Sequence, residues 1–232
     1  MTKKEITYIF EFEDGNIKRF DLAIDLENML IINNSVEKPP DWTLLKNFSC
    51  PHCPLNPNEH IYCPLALNLV KMIDEFNEHN SFDRVKVTVI TDNRTFYKET
   101  DLQSGVSSYL GILMVASGCP VMKKLSPMLH FHLPFATLEE TEIRVFSLYL
   151  LAQLIKMKQG EEPDWDMKKL FDIYEDIRIL NNNVSKKVAD LEKKDANINS
   201  IVILNNFADF VTFTLNEKLI DELSSYLKEF LN

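Results

Sequence analysis

The sequence predicts an α+β protein in which N-terminal antiparallel β-hairpins, with one helix and a cysteine- and proline-rich loop, precede a C-terminal helical bundle. Two patterns support this: apolar and polar residues alternate in two segments before residue 100, and apolar residues recur at helical spacing after it. Of the 232 residues, 45% are hydrophobic and 26% are charged, which is typical of a globular protein with a sizeable core. We expect two parts, residues 1–100 and 101–232, which could also form one compact unit.

The first hairpin is predicted at the start of the chain. Apolar residues at every second position from Ile6 to Phe12 indicate a strand with one buried face. Asp14-Gly15 then supplies a tight turn, since glycine readily adopts the positive φ that such turns need. A returning strand is therefore expected over about residues 16–23.

The elements that follow are predicted from the spacing of apolar residues and from the positions of proline and turn residues. Residues 24–33 are interpreted as a third strand rather than a short helix, although their short apolar run is compatible with both. Pro64 suits the first position of a helix, and helical spacing of apolar residues continues from there to about residue 79. Alternating valines between residues 85 and 89, followed by a turn at Asp92-Asn93, predict a second hairpin.

The part after residue 100 is predicted to be helical. One helix is expected over about residues 101–117, and another over about 165–182. Thr137 with Glu140 three residues later forms a capping-box signature, which predicts a long helix from there to about residue 159. The segment 184–231 is expected to hold two or three more helices, the last containing Leu219, Ile220, Leu223, Tyr226, Leu227 and Phe230.

The segment 39–64 differs from the rest of the N-terminal part. It holds the prolines at 39, 40, 51, 54, 57 and 64 and three of the four cysteines, and it has no steady period. A structureless stretch of this length inside a compact domain is uncommon and is usually functional or held by something other than secondary structure. We therefore expect this loop to be held together by its cysteines.

The four cysteines form a predicted metal site: Cys50, Cys53, Cys63 and Cys119, each followed by proline. Proline disfavours the α conformation in the residue before it, so each cysteine is directed towards an extended backbone at a bend. Two residues separate Cys50 from Cys53, a spacing that lets both sulfurs reach one tetrahedral ion, and Cys63 lies at the predicted N-cap of the next helix. The fourth ligand is expected to be Cys119, with His60 as the alternative.

Zinc is the expected metal, and other chemistries stay open. Four cysteines also suit an iron–sulfur cluster, and they are equally compatible with reduced structural thiols, a disulfide or haem-type thiol chemistry. His132, in the segment LHFHLPF, is a candidate for a second layer around the metal, and its alternative is a packed polar residue of a connecting segment. The function hypothesis is a zinc-stapled binding or regulatory module; the alternative is an iron–sulfur or thiol-based redox protein.

The motifs around these residues resemble those of a known family. The stretches FSCPHCPL, YCPLALNLV, SGCPVM, FHLPFATLEETEIRVFSLYLLAQ and EEPDWD are similar to a family of uncharacterised bacterial proteins catalogued as a domain of unknown function. The resemblance covers nearly all of the chain. It implies a bacterial source, a single architecture and a shared role for Cys50, Cys53, Cys63, Cys119 and His132, but it does not name that role.

Composition excludes several function classes. The formal net charge of −10 comes without a basic stripe or tail, so nucleic acid is not an expected partner. The five glycines are too isolated to form a dinucleotide-binding fingerprint or a P-loop, and the sequence carries no recognisable catalytic constellation, which favours a non-enzyme. No apolar run is long enough to span a membrane, and the acidic start argues against a signal peptide. We expect a cytoplasmic protein that binds a protein or a small molecule.

Overall fold

The computed structural model describes residues 3–191, 193–214 and 223–232, and it confirms the α+β class. Five strands form one antiparallel sheet with the order β3-β2-β1-β4-β5. The strands are β1 (Lys3–Phe12), β2 (Ile17–Asp25), β3 (Leu30–Ile31), β4 (Arg84–Thr91) and β5 (Thr95–Asp101). Both predicted hairpins are confirmed, because β1 pairs with β2 and β4 pairs with β5.

One face of the sheet carries the core. Alternation places every second side chain of a strand on the same face, and the register opposes Tyr8 to Phe20 on one side and to Val89 on the other. The buried side chains of this face are Ile6, Tyr8 and Phe10 of β1, Phe20, Leu22 and Ile24 of β2, and Val85, Val87 and Val89 of β4. The opposite face is more polar and includes the exposed ion pair Arg19–Asp21, and the helices Pro64–Phe76 and Leu102–Val115 contact side chains of the first face.

Eight α-helices lie wholly within the described ranges, and residues 223–226 are helical as well. They are α1 (Leu45–Phe48), α2 (Pro64–Phe76), α3 (Leu102–Val115), α4 (Ser126–His130), α5 (Leu138–Lys158), α6 (Lys168–Ala189), α7 (Ala196–Thr214) and α8 (Lys228–Leu231). Two of them pack on the sheet: α2 through Phe76, whose ring lies 5.1 Å from that of Phe10, and α3 through Gly105. The long helices α6 and α7 pack against each other, and α7 also packs on α3.

The predicted helix starts have physical counterparts in the structure. Thr137 Oγ1 accepts a hydrogen bond from the Glu140 amide at 3.1 Å, and Glu140 accepts one from the Thr137 amide at 2.8 Å, so the capping box of α5 is confirmed. Asp164 accepts hydrogen bonds from the Lys169 amide at 2.8 Å and from the Tyr149 hydroxyl at 2.7 Å, which joins the middle of α5 to the first turn of α6. Helix α6 begins later than expected and ends later, at Ala189 rather than near residue 182.

Two other predictions need correction in detail. The segment 24–33 is not one strand: β2 continues to Asp25, a turn follows, and β3 has only two residues. The loop 39–64 is not wholly irregular, because it contains α1 and a short 3-10 helix at Asp41–Thr43. Of the residues expected in the last helix, Leu219 and Ile220 lie outside the described residues.

The sheet and the helical part share one hydrophobic core. It extends from β1 and β2 through α2 and α3 to α6 and α7. The proposed boundary near residue 100 falls where β5 passes directly into α3, with Asp101 as the N-cap that accepts a hydrogen bond from the Ser104 amide at 2.9 Å. Among the described residues, no helix is both long enough and apolar enough to cross a membrane.

Candidate metal centre

The first two cysteines lie in a tight turn after α1. The amide of Cys53 donates a hydrogen bond to the carbonyl oxygen of Cys50 at 3.0 Å, so Cys50-Pro51-His52-Cys53 closes on itself. The ends of the surrounding loop are held by the Cys63 amide, which donates to the Thr43 carbonyl at 2.8 Å. A loop that reads as unstructured in the sequence is therefore anchored on both sides of the turn.

Cys63 lies at the start of α2, as its sequence position predicts. It is the N-cap residue, with an extended backbone (φ −73°, ψ 118°), and Pro64 occupies the first helical position. The amides of Ala66 and Leu65, in the first turn, oppose part of the effect of burial on the pKa of the Cys63 thiol, although the thiol makes no capping hydrogen bond. The thiol thus lies where the positive end of a helix dipole favours a thiolate.

Cys119 follows the end of α3 in the turn Ser117-Gly118-Cys119. Gly118 has φ +86°, a conformation that glycine adopts without a steric penalty. A Cβ atom at this position would lie 3.3 Å from Leu30 Cδ2, so β3 also limits the size of the residue there. The Ser117 hydroxyl donates to the Met114 carbonyl at 2.6 Å and accepts a hydrogen bond from the Cys119 amide at 3.1 Å, which fixes the path of the turn.

The structure brings the four predicted cysteines together around one small cavity. This cavity has a volume of about 20 Å³, room for one water-sized particle. The remaining lining residues are predominantly apolar, and they are Phe48, Pro54, Leu55, Pro64, Leu65, Val121, Leu180 and Val184. None of the four cysteines forms a disulfide. His60, the alternative fourth ligand, is exposed and does not line the cavity.

Burial controls the protonation of these thiols. It raises the pKa of Cys50 to about 12 and that of Cys63 to about 11, and the neighbouring cysteines add to the rise. The pKa of Cys119 is also raised, mainly by burial, while the amides of Met122 and Val121 oppose it. The polypeptide alone therefore holds these three groups as neutral thiols near pH 7.

Two polar side chains accompany the cysteines. Asn183 Nδ2, on α6, donates to the Cys50 sulfur and to the Ser49 carbonyl, both at 3.4 Å. Both ring nitrogens of His52, inside the turn, are buried and make no hydrogen bond to any described residue. As the side chains stand, no group of three or more His, Cys, Asp or Glu residues within the described ranges has an arrangement that could hold a metal ion.

Comparison with known proteins identifies the family. A family model described as a domain of unknown function, DUF6901, matches residues 6–228. The chain belongs to this family. No curated protein and no solved structure matches the chain. The matched range of this DUF6901 member contains all four cysteines, the loop that holds three of them and the segment around His132.

His132 does not lie beside the cysteines. Its Nε2 forms a 2.8 Å hydrogen bond with the Tyr8 hydroxyl, and its ring faces a second, larger cavity between α3, α5 and α7. We expected this histidine to support the metal ligands, but its described contacts are with Tyr8 and the second cavity instead. His130, two residues earlier, ends α4 and is exposed.

Four polar residues of the second cavity were not predicted as site residues from the sequence. Arg144 lies on α5, and Ser104, Ser107 and Ser108 lie on α3. Each of them alone reads as an ordinary helical residue, because their proximity arises only when the two helices meet over the sheet. The one signal in the sequence is the clustering of three small polar residues in the first turns of an otherwise apolar helix.

Proposed function

We propose that the protein is a binding or regulatory module whose cysteine loop is joined to its helical part by one structural zinc ion. Cys50, Cys53, Cys63 and Cys119 would hold this ion. The observation that carries the proposal is the convergence of all four thiols on one cavity, although Cys119 comes from the end of α3 and the others from the loop before α2.

The donor set and the size of the cavity favour zinc over a cluster. Four cysteine thiolates are a common ligand set of structural zinc, and such a closed set leaves no position for water or substrate. An iron–sulfur cluster contains several iron and sulfide ions and needs more room than one water-sized particle. Zinc supplies a divalent charge, which stabilises thiolates in surroundings where burial otherwise keeps the thiols neutral.

The groups around the sulfurs also support a bound cation. Asn183 donates to Cys50, and backbone amides near Cys63 and Cys119 oppose the effect of burial, so polar hydrogens are directed towards three of the four sulfurs. Donors of this kind orient and stabilise metal-bound thiolates. In the same turn, both ring nitrogens of His52 are buried without a hydrogen bond to a described residue. Buried polar groups that lack a partner in the polypeptide are often found near a bound water or ion.

The proposed zinc would act on folding rather than on catalysis. Part of the free energy of metal binding becomes folding free energy when the ligands come from separate elements. Here the ion would tie the Cys50–Cys53 turn to the N-terminus of α2 and to the turn after α3. The surfaces that these elements support would then be the binding surfaces of the module.

Elemental analysis of protein purified without added metal tests the proposal. We expect about one zinc per chain, lost in Cys119→Ser and retained in His60→Ala, because the exposed imidazole is not needed to complete the site. Iron with acid-labile sulfide would replace the proposal with the redox alternative. Metal-free protein with four titratable thiols, or zinc that is retained in Cys119→Ser and lost in His60→Ala, would overturn it.

Chelation gives an independent measurement on the wild-type chain. If zinc contributes about 4 kcal/mol to folding, its removal should lower the Tm by roughly 10 °C in a protein of this size. Readdition of zinc should restore the Tm. Cys119→Ser should have the lower Tm from the start, and the chelator should not change it. A wild-type Tm that is the same with and without the chelator would contradict a structural ion.

A further inference from the structure

The cavity beside His132 is large enough to hold a small molecule. Its volume is about 460 Å³, within the range of small-molecule sites. Its walls come from five places: the middle of β5, helices α3, α5 and α7, and the segment that connects α4 to α5. It shares no lining residue with the cysteine cavity, so an inference about it does not depend on the zinc proposal.

One hydrogen-bond donor of this cavity is buried without an acceptor in the described part of the chain. Arg144 Nε is buried and makes no hydrogen bond there. Ser104 and Ser107 also line the cavity, and Ser107 is buried on α3. A buried donor without an acceptor destabilises the fold, and a ligand that accepts a hydrogen bond would supply the missing partner.

His132 is held in its neutral form. Burial, with the nearby charges of Arg144 and Lys4, lowers the pKa of this histidine to about 3. The Tyr8 hydroxyl bonds to Nε2, and burial raises the pKa of Tyr8, so the phenol keeps its proton. The same hydroxyl lies 3.2 Å from the Ser108 carbonyl oxygen and 3.0 Å from Ser108 Oγ, so the tautomer of the imidazole decides whether Nε2 donates or accepts.

The charge of the lining is positive. Arg144 and Lys98 line the cavity, and among the described residues no aspartate or glutamate does. Glu140, one turn before Arg144, compensates part of its charge, but Glu140 Oε2 already accepts the Thr137 amide at 2.8 Å. In a chain of net charge −10, a cationic cavity without an acidic wall is selective for anions.

The rest of the wall is apolar and preorganised. Leu133, Leu138, Ile203 and Leu204 line it together with the ring of Phe135. Phe135 has φ +59°, an unfavourable conformation for a bulky residue, and its amide donates to Ser108 Oγ at 3.2 Å. Backbone strain of this kind persists only where the surroundings hold it, and it concentrates at functional sites.

We infer that this cavity binds a small organic carboxylate with an apolar body. The planar guanidinium of Arg144 matches a carboxylate with two parallel hydrogen bonds, and the neighbouring serine hydroxyls supply further donors. A phosphate carries more charge than one buried cation balances, and it leaves the apolar wall without a partner. The carboxylate would therefore face Arg144 and His132, with its apolar body against Leu133, Leu138 and Ile203.

Titration calorimetry near pH 7 with octanoate and hydrocinnamate tests the inference. We expect saturable binding of at least one of these acids at one site per chain, and weaker binding of octanol, which has the apolar body without the charge. Arg144→Met should weaken acid binding by roughly tenfold or more, because a charge-assisted hydrogen bond is lost. The matched control Arg94→Met changes an exposed arginine in the β4–β5 turn and should leave binding unchanged.

A second variant separates loss of binding from loss of folding. Gly111 lines the cavity, and a Cβ atom built there meets nothing within 4 Å. Gly111→Leu should therefore fill the cavity and abolish acid binding while the urea midpoint stays the same or rises. Binding that survives Gly111→Leu, equal affinity for octanol and octanoate, displacement by inorganic phosphate, or no binding of either acid would each overturn the inference.

Discussion

At the scale of single residues, the protonation state of His132 has the largest consequences. A histidine near the charged side chains of Arg144 and Lys4 cannot take up a proton without repulsion, and its hydrogen bond to Tyr8 holds it among buried rings. Neutrality leaves Arg144 as the charged group of the cavity wall nearest to it. Because the folded protein keeps His132 neutral, its free energy of unfolding should decrease at acidic pH.

The stability of the protein should fall between pH 6.5 and pH 3 in a way that depends on His132. Its pKa is lowered to about 3 in the folded state and takes the usual value of about 6.5 in the unfolded chain, so in this window only the unfolded chain binds the proton. One such group removes up to about 1.4 kcal/mol of stability per pH unit as the pH falls. Above this window it has no effect.

Urea unfolding of the wild type and His132→Gln, measured from neutral pH to about pH 5, checks this. The variant should lose less stability per pH unit than the wild type. Aspartates with a lowered pKa, such as Asp164 and Asp195, add their own losses near and below about pH 4, outside this range. His130→Gln, which changes an exposed neighbour, is the control, and identical slopes for His132→Gln and the wild type would contradict the assignment.

At the scale of elements, α3 is the helix that organises the molecule. It packs on the sheet, lines the carboxylate cavity proposed here and ends at the turn that carries Cys119. Two of its glycines have opposite surroundings. Gly105 faces the sheet closely, whereas Gly111 faces open space.

Alanine substitution of these two glycines should therefore change stability in opposite directions. At Gly105 a Cβ atom would lie 2.9 Å from Val87 Cγ2 and 3.1 Å from Phe10 Cε1, and both side chains are fully buried. Overpacking costs about 1–3 kcal/mol, more than the gain of up to about 1 kcal/mol in helix propensity. Gly105→Ala should lower the free energy of unfolding in urea and Gly111→Ala should raise it. Equal stabilisation by both would show that α3 can move away from the sheet.

The elements that could be predicted from the sequence are those with local signals. The Asp14-Gly15 turn and the capping box at Thr137 depend on neighbours within a few residues, and both are found. The Cys-Pro repeats similarly indicated that Cys119 belongs with the loop cysteines. Spacing alone could not show that His60 points to solvent, because that depends on how the loop lies against α6.

The carboxylate cavity could not be predicted for a different reason. Arg144 follows Glu140 at helical spacing and reads as a charged surface pair, and Ser108 reads as a small residue of an apolar helix. Their chemistry depends on the packing of α5 and α7 over α3, which is a property of the tertiary structure. The positive φ of Phe135 and the unpaired Arg144 Nε mark the cavity in the structure, and neither can be recognised from local sequence patterns.

At the scale of the whole molecule, the two predicted parts are connected at several places. Asp195, at the start of α7, accepts hydrogen bonds from the Ser81 amide at 2.7 Å and from the Ser81 hydroxyl at 3.1 Å. Lys4 on β1 donates to the Leu129 carbonyl at 2.9 Å. Together with the continuous core, these contacts predict that residues 1–100 and 101–232 unfold together.

The two tryptophans make this testable, because one lies in each part. Trp42 is partly buried in the loop before α2, with its ring 5.6 Å from that of Phe48, and Trp165 lies just before α6. Trp165→Phe leaves a probe of the N-terminal part, and Trp42→Phe leaves a probe of the helical part. For a single cooperative unit, the fluorescence transition in urea should coincide with the circular dichroism transition in each variant. Loss of the Trp165 signal at a lower urea concentration would instead mean that α6 and α7 detach from a sheet that remains folded. The shared core would then contribute less to cooperative unfolding than its continuity implies.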